Sequence, residues 1–291
     1  MIEQFTLLNT ITGESIDFNM TIGPVWLDSI VISPVEGIDQ LYTIPNQDGQ
    51  LRIATKLGIR SVTITAWIVN GPESLSSQKT YLNKFCNPKQ PMEIQVGQYK
   101  LSFIPSYSTQ YSKNKKENNE AMCKFVIMGT AYDPFWTSQQ EIESLVSYIE
   151  PMWVLPFYIP QDGLVFGVNQ PTSSTQIDNN GLPVGCKIVL SAYGGSVVNP
   201  GIVCAETQER ISINKTLSDG EQITIDTRAG HRKIYGSVND ETYNGMKYLS
   251  PNSDWITLQA GVNTLSFFSD SGSEFLGVSI LYSPLLLEVE E

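Results

Sequence analysis

The sequence predicts a mainly β protein of two domains, the first covered by one helix and the second a β-sandwich. Three observations predict it. Runs of alternating or β-branched residues recur along the chain, Gly, Pro, Asn and Asp punctuate them, and one stretch carries clear helical start and stop signals. At 291 residues the chain is long enough for one or two cores.

In the first half the strand-like runs are Trp26 to Ile32, Ser61 to Val69, Lys100 to Ile104 and Cys123 to Ala131. Ser61 to Val69 alternates most clearly. Val62, Ile64, Ala66 and Ile68 share one face and Thr63, Thr65 and Trp67 the other, the period of a half-buried strand. Gly71 to Phe85 reads as a helix: Pro72 suits its first turn, Leu75, Leu82 and Phe85 form one stripe, and Asn87-Pro88 stops it. Gln139 to Tyr148 reads equally as a short helix or a linker strand. The composition shifts around 134–150, which divides the chain into domains 1–140 and 141–291. The last strand, Gly277 to Glu288, is free to return to the first domain. Beyond the shift, Cys186 to Ala192, Gln222 to Asp226 and Thr264 to Phe268 are strand-like. Turn signals at Asp162-Gly163, Asn179-Asn180-Gly181, Asp219-Gly220 and Asn244-Gly245 suit a sandwich, whose strands turn every ~8–12 residues. Ser112 to Glu120 is polar and lacks aromatics, as expected of a mobile hairpin tip.

Composition narrows the chemistry. Charged residues make up only 16%, and 18 Lys and Arg against 30 Asp and Glu give a net charge of −12. A nucleic-acid reader needs clustered cations to neutralise phosphates, and the small basic patch of Lys113, Lys115 and Lys116 has no interleaved aromatics and reads as a solvated loop. No apolar run approaches ~18 residues and no basic N-terminal segment precedes one, so neither a membrane span nor a signal peptide is expected. The cysteines, at 86, 123, 186 and 204, have no C-x-x-C spacing and read as free thiols. His231 is the only histidine, and Arg228 and Arg232 flank it without an orienting carboxylate, so it reads as a surface turn residue. Ser269 to Glu274 and Asp178 to Gly181 offer oxygen ligands but lack the full calcium-loop pattern, and hairpin turns explain them better. Paired carboxylates can meet in space without a motif, so a glycosidase stays open, though none of the acids stands in a recognisable one. Neither a catalytic site, a cofactor nor a metal is expected.

Several unusual segments occur in a particular order. Ile44 to Gly49 enters a tight turn at Asp48-Gly49, and Leu57-Gly58-Ile59-Arg60 leads into the strand containing Trp67. After the helix and a further pair of strands comes a corner, Asp133-Pro134-Phe135-Trp136. The second half adds Asn199-Pro200-Gly201, Ile223 to Arg228 with Asp226 and Arg228 placed for a local ion pair, and Gly261-Val262-Asn263-Thr264 opening a strand. Val278 to Tyr282 closes the set with an apolar and aromatic pattern. Taken in order, these segments resemble the siphovirus distal tail protein family (Dit, the phage tail component of the baseplate hub), whose first domain ends in a D-P-x-W-like corner. Each also has a purely structural reading as a turn, a strand end or a core plug.

The resemblance implies a structural protein of a phage or prophage virion tail, assembled in the bacterial cytoplasm and without enzymatic activity. In that family the first domain forms a ring, commonly a homohexamer, around a channel for DNA. The second, a sandwich similar to galectins or carbohydrate-binding modules, projects outward. The implied partners are the tail tube protein above, the tail-associated tip or fibre protein below, and receptor-binding or side baseplate proteins. DNA would pass without specific binding. Two rivals stand beside this reading: a carbohydrate-binding module acting on cell-wall glycans through the second domain's aromatics, and a wall-degrading glycosidase.

Overall fold

The computed structural model describes residues 2–20, 24–45, 48–70, 74–145, 174–239 and 241–289, with the backbone of 148–151 and 167–170. Asn46, Gln47, Pro72 and the Asp162-Gly163 turn lie outside these residues. The chain divides into two compact units, Met1–Gln139 with Leu286–Glu291, and Gln140–Leu285.

In the first unit the strands in chain order are β1 (Gln4–Asn9), β2 (Ser15–Asn19), β3 (Val25–Ile32), β4 (Gly37–Tyr42), β5 (Leu51–Leu57) and β6 (Arg60–Val69). The helix α1 (Leu75–Phe85) precedes β7 (Met92–Val96), β8 (Tyr99–Pro105), β9 (Gln110–Tyr111), β10 (Met122–Ala131) and β11 (Thr137–Ser138). The order β8-β7-β1-β2-β3-β6-β10 is closed by a pairing of β10 back to β8, through Gly129 opposite Pro105 and Thr130 opposite Ile104. Seven strands therefore form a barrel-like sheet, which removes the open edges a flat sheet would leave. Every strand contact in the ring is antiparallel except that of β2 with β3, a parallel pair at Asn19 and Trp26.

Alternation explains the inside of this barrel. Val62, Ile64, Ala66 and Ile68 on β6 are buried, as are Cys123, Phe125, Ile127 and Ala131 on β10, while their neighbours in sequence face outward. Phe5 stacks on Phe18 with ring centroids 4.9 Å apart. The helix adds Leu82 and Phe85 to the same core, and its Ser74 Oγ accepts a hydrogen bond from the Ser77 N–H at 3.3 Å. The Ser112 to Glu120 segment carries its own polar network: Ser112 Oγ donates to Glu117 Oε2 at 2.7 Å, and Asn118 Nδ2 to the Ser112 carbonyl at 3.0 Å.

The second unit begins with β12 (Ile142–Leu145), β13 (Tyr148–Pro151), β14 (Gly167–Gln170), β15 (Ser174–Asn179), β16 (Val184–Gly185) and β17 (Lys187–Ala192). Of the two readings of Gln139 to Tyr148, the strand is the observed one for 142–145. There follow β18 (Val197–Val198), β19 (Gly201–Cys204), β20 (Arg210–Ser212), β21 (Thr216–Leu217) and β22 (Gln222–Asp226). Last come β23 (Lys233–Val238), β24 (Glu241–Asn244), β25 (Thr257–Leu258), β26 (Gly261–Phe268) and β27 (Leu276–Tyr282). A six-stranded sheet runs β12-β27-β17-β22-β23-β24 and a four-stranded one β15-β26-β19-β20. Ile188, Ile223 and Ile280 from the first share one core with Ile202, Ile211 and Leu265 from the second. That is the packing of a sandwich.

Candidate interaction surfaces

The strands β4 and β5 pair only with each other and belong to neither the barrel nor any other sheet among the described residues. All their residues are exposed, including Ile38, Leu41, Tyr42, Leu51, Ile53 and Leu57. Ile53 keeps 64% of its surface in water. A lone two-stranded hairpin is marginal in water, and six large apolar side chains exposed on the two faces of one make it a candidate contact site. Polar contacts set its register. Arg52 Nε pairs with Asp39 Oδ1 at 2.8 Å, and Thr55 bonds both residues. Asp48 and Gly49 lie in the loop joining the two strands, exposed, with Gly49 at φ +89°.

Trp67 sits on the outward face of β6, directly opposite Trp26, with Lys124 Nζ 5.2 Å from its ring centre. The corner has a structural role. Asp133 Oδ1 accepts the Phe135 N–H at 3.3 Å, Pro134 is buried, and Trp136, only 1% exposed, fills the first unit's core. Trp136 and Leu286 exchange backbone hydrogen bonds of 2.8 and 2.9 Å, which ties the final residues to this unit. Beside them lies Arg60, whose guanidinium is fully buried. It donates to the carbonyls of Ser33 at 2.7 Å, Leu287 at 2.7 Å and Pro134 at 3.4 Å, and pairs with Glu288 at 2.9 Å.

In the second unit, Pro200 accepts the Ile213 N–H at 2.9 Å, and Gly201 lies so close to Phe268 that a Cβ would stand 2.4 Å from the ring. Asp226 and Arg228 form the ion pair the sequence suggested, at 2.7 Å between Oδ2 and Nη2. Burial pushes the Asp226 carboxyl up, but the Arg228 hydrogen bonds outweigh it and hold the group below the usual carboxylate range. Glu141 joins this network, accepting from Arg228 at 3.2 Å and from Lys187 at 2.7 Å. Gly261, at φ +88°, opens β26. The buried Asn263 staples that turn, accepting the Gln259 N–H at 2.7 Å and donating to the Gln259 and Gly261 carbonyls at 2.8 Å.

The residues singled out in the sequence thus hold corners, turns and one ion pair and do not converge on a single site. Sequence reasoning missed the apolar hairpin and the buried Arg60, though Arg60 stood within a quoted motif. His231 is exposed in a turn, its N–H bonded to the Arg228 carbonyl at 3.0 Å. All four cysteines are buried and free. Burial pushes the thiols of Cys86 and Cys186 up to about 12, far from a reactive thiolate at neutral pH.

Residues 184–284 match the family model of the siphovirus-type tail component, C-terminal domain. The crystal structure of the Dit protein of phage SPP1, titled a paradigm of the hub adsorption apparatus in phages infecting Gram-positive hosts, superposes with a TM-score of 0.66 at 15% identity. The match covers 97% of this chain and 99% of that one. The fold is that of a Dit-like distal tail protein. Two structures of the phage P2 baseplate in its activated conformation superpose as well. The one with Ca has a TM-score of 0.52 at 10% identity, covering 97% of this chain and 98% of that one. The one with Sr has a TM-score of 0.50 at 10% identity, covering 96% and 97%. Among curated proteins no sequence matches. The matching family is described as a siphovirus-type tail component, and the structural neighbours come from a phage hub protein and phage baseplates. No helix among its described residues is long and apolar enough to cross a membrane.

Proposed function

We propose that the chain is a ring-forming hub of a phage or prophage virion tail, and that the β4–β5 hairpin carries the contact between copies. The observation behind this reading is the hairpin itself. Six large apolar side chains face water on an arm that its own unit does not cover. A copy of the same chain is a natural cover, because a head-to-tail contact repeated by rotation closes into a ring, and six copies are the number the family resemblance implies. Such a ring would sit between the tail tube protein and the tail tip or fibre protein, with the second unit carrying receptor-binding or side baseplate proteins.

Six copies at −12 each would carry a formal charge of −72. Acidic groups on the channel wall would repel phosphates, so DNA passes without sticking.

Analytical ultracentrifugation over a concentration series tests the ring. The native chain should assemble towards six copies, and a Leu41→Ser, Ile53→Ser double variant should stay monomeric with an unchanged far-ultraviolet circular dichroism spectrum. A native chain that is strictly monomeric at high concentration, alone and mixed with tail tube protein, overturns the reading.

A further inference from the structure

The β23–β24 hairpin at the edge of the six-stranded sheet presents a second, chemically different surface. On β23, Ile234 and Gly236 are buried, so Lys233, Tyr235 and Ser237 share the opposite face. Asn244 stands opposite Tyr235 and Thr242 opposite Ser237, which brings a cation, an aromatic ring, an amide and hydroxyls onto one patch. Lys233, Tyr235, Thr242, Asn244 and Met246 line a cleft of about 620 Å³, and all five are exposed.

No ion pair among the described residues neutralises the charge in this cleft. Lys233 lies directly across from Asp226, yet that carboxylate is already occupied. Its Oδ1 accepts from the Arg228 N–H at 3.2 Å and Nε at 2.9 Å, and its Oδ2 from Nη2 at 2.7 Å. Lys233 Nζ rests 5.5 Å from the centre of the Tyr235 ring, and among the described residues no carboxylate forms an ion pair with it. The wider field agrees. Of the second unit's seven Lys and Arg, five fall between 215 and 247, alongside five acids; the rest of the unit has two against ten. Asn244 Oδ1 accepts the Met246 N–H at 2.9 Å, which fixes the amide and leaves its Nδ2 as a donor.

We propose that this face of the β23–β24 hairpin binds an acidic saccharide. One apolar face of a sugar ring stacks on Tyr235, its anionic group meets Lys233, and Asn244 and Thr242 bond its hydroxyls. The combination of an exposed ring with convergent polar groups suits a sugar better than a bare anion, which would gain nothing from the ring. All four residues belong to one copy, so the inference stands or falls independently of ring assembly.

Calorimetric titration of the full chain with tetragalacturonate, with neutral maltotetraose and with inorganic phosphate tests it. Tetragalacturonate should bind, and maltotetraose at least about tenfold more weakly. Tyr235→Ala should abolish tetragalacturonate binding. Lys233→Gln should bring its affinity down to that of the neutral sugar. Tyr193→Ala, an exposed aromatic of the same unit outside the cleft, should change nothing, and unchanged melting temperatures would show that each variant is folded. The proposal fails if the native chain does not bind tetragalacturonate, if Tyr235→Ala leaves binding intact, or if phosphate alone binds as tightly as the oligosaccharide.

Discussion

A single buried guanidinium holds the end of the chain against the first unit. Arg60 has no access to water and spends its donors on three carbonyls and Glu288. Its removal leaves acceptors buried without partners, so Arg60→Ala should destabilise the first unit by about 3 kcal/mol in a denaturant titration. Arg60→Lys should restore only part, since an ammonium cannot span the same carbonyls.

In the second unit two buried carboxylates, Glu221 and Asp226, are held below the usual carboxylate range. Burial pushes Glu221 up, but bonds from Lys215, Tyr243 and the Ser218 N–H hold it low, as Arg228 does for Asp226. Both are depressed on folding, so the stability they contribute is complete above the unfolded carboxylate range, about 3.9–4.3. It is lost as pH falls through the folded values. Thermal unfolding followed from pH 7 to 3 should show the loss setting in only below about pH 4, and Asp226→Asn should flatten it. A native chain whose second unit has already lost this stability at pH 5 would contradict the assignment.

At the scale of elements, the barrel depends on a closure that local sequence does not announce. Where β10 meets β8, a Cβ on Gly129 would stand 2.4 Å from the Phe103 ring and 2.7 Å from the Ile104 carbonyl oxygen. Gly129→Ala should therefore cost the first unit about 1–3 kcal/mol by forcing the two strands apart, measurable as a lower denaturation midpoint.

The contrast with β6 shows what was legible. Its period-2 pattern states which side faces the core, and Val62, Ile64, Ala66 and Ile68 are all buried. The helix was equally readable from its apolar stripe and the Asn87-Pro88 stop. Closure depends instead on residues some twenty-five positions apart finding one register, which no local pattern encodes. The β4–β5 hairpin was hidden for another reason. Ile38, Leu41 and Ile53 look like core residues in a sequence, and only the fold shows that nothing in their own unit covers them. Tyr235 and Lys233 escaped notice because an aromatic in a strand reads first as packing, and the exposure of its ring depends on the buried Ile234 and Gly236 beside it.

On the scale of the whole molecule, residues 140–285 are inserted between two neighbouring pieces of the first unit, and Leu286–Glu291 completes that unit. Replacing 140–285 by a short Gly/Ser linker between Gln139 and Leu286 should yield a folded, cooperatively melting barrel. Removing 286–291 from the full chain should instead lower the first unit's stability by at least as much as Arg60→Ala, because Trp136 and Arg60 lose their partners together. Circular dichroism and differential scanning calorimetry of the two shortened chains would separate these outcomes. A barrel indifferent to the loss of 286–291 would show that the final segment is dispensable.

The backbone bridge between Trp136 and Leu286 carries a consequence for how such proteins can diversify. Paired strands lie about 5 Å apart, so the chain leaves the barrel and re-enters it at nearly the same point. Any domain whose own termini lie side by side could occupy that interval without altering one strand of the barrel. The second unit is in this sense an exchangeable cassette, free to change while the first unit, with its proposed contact between copies, stays as it is.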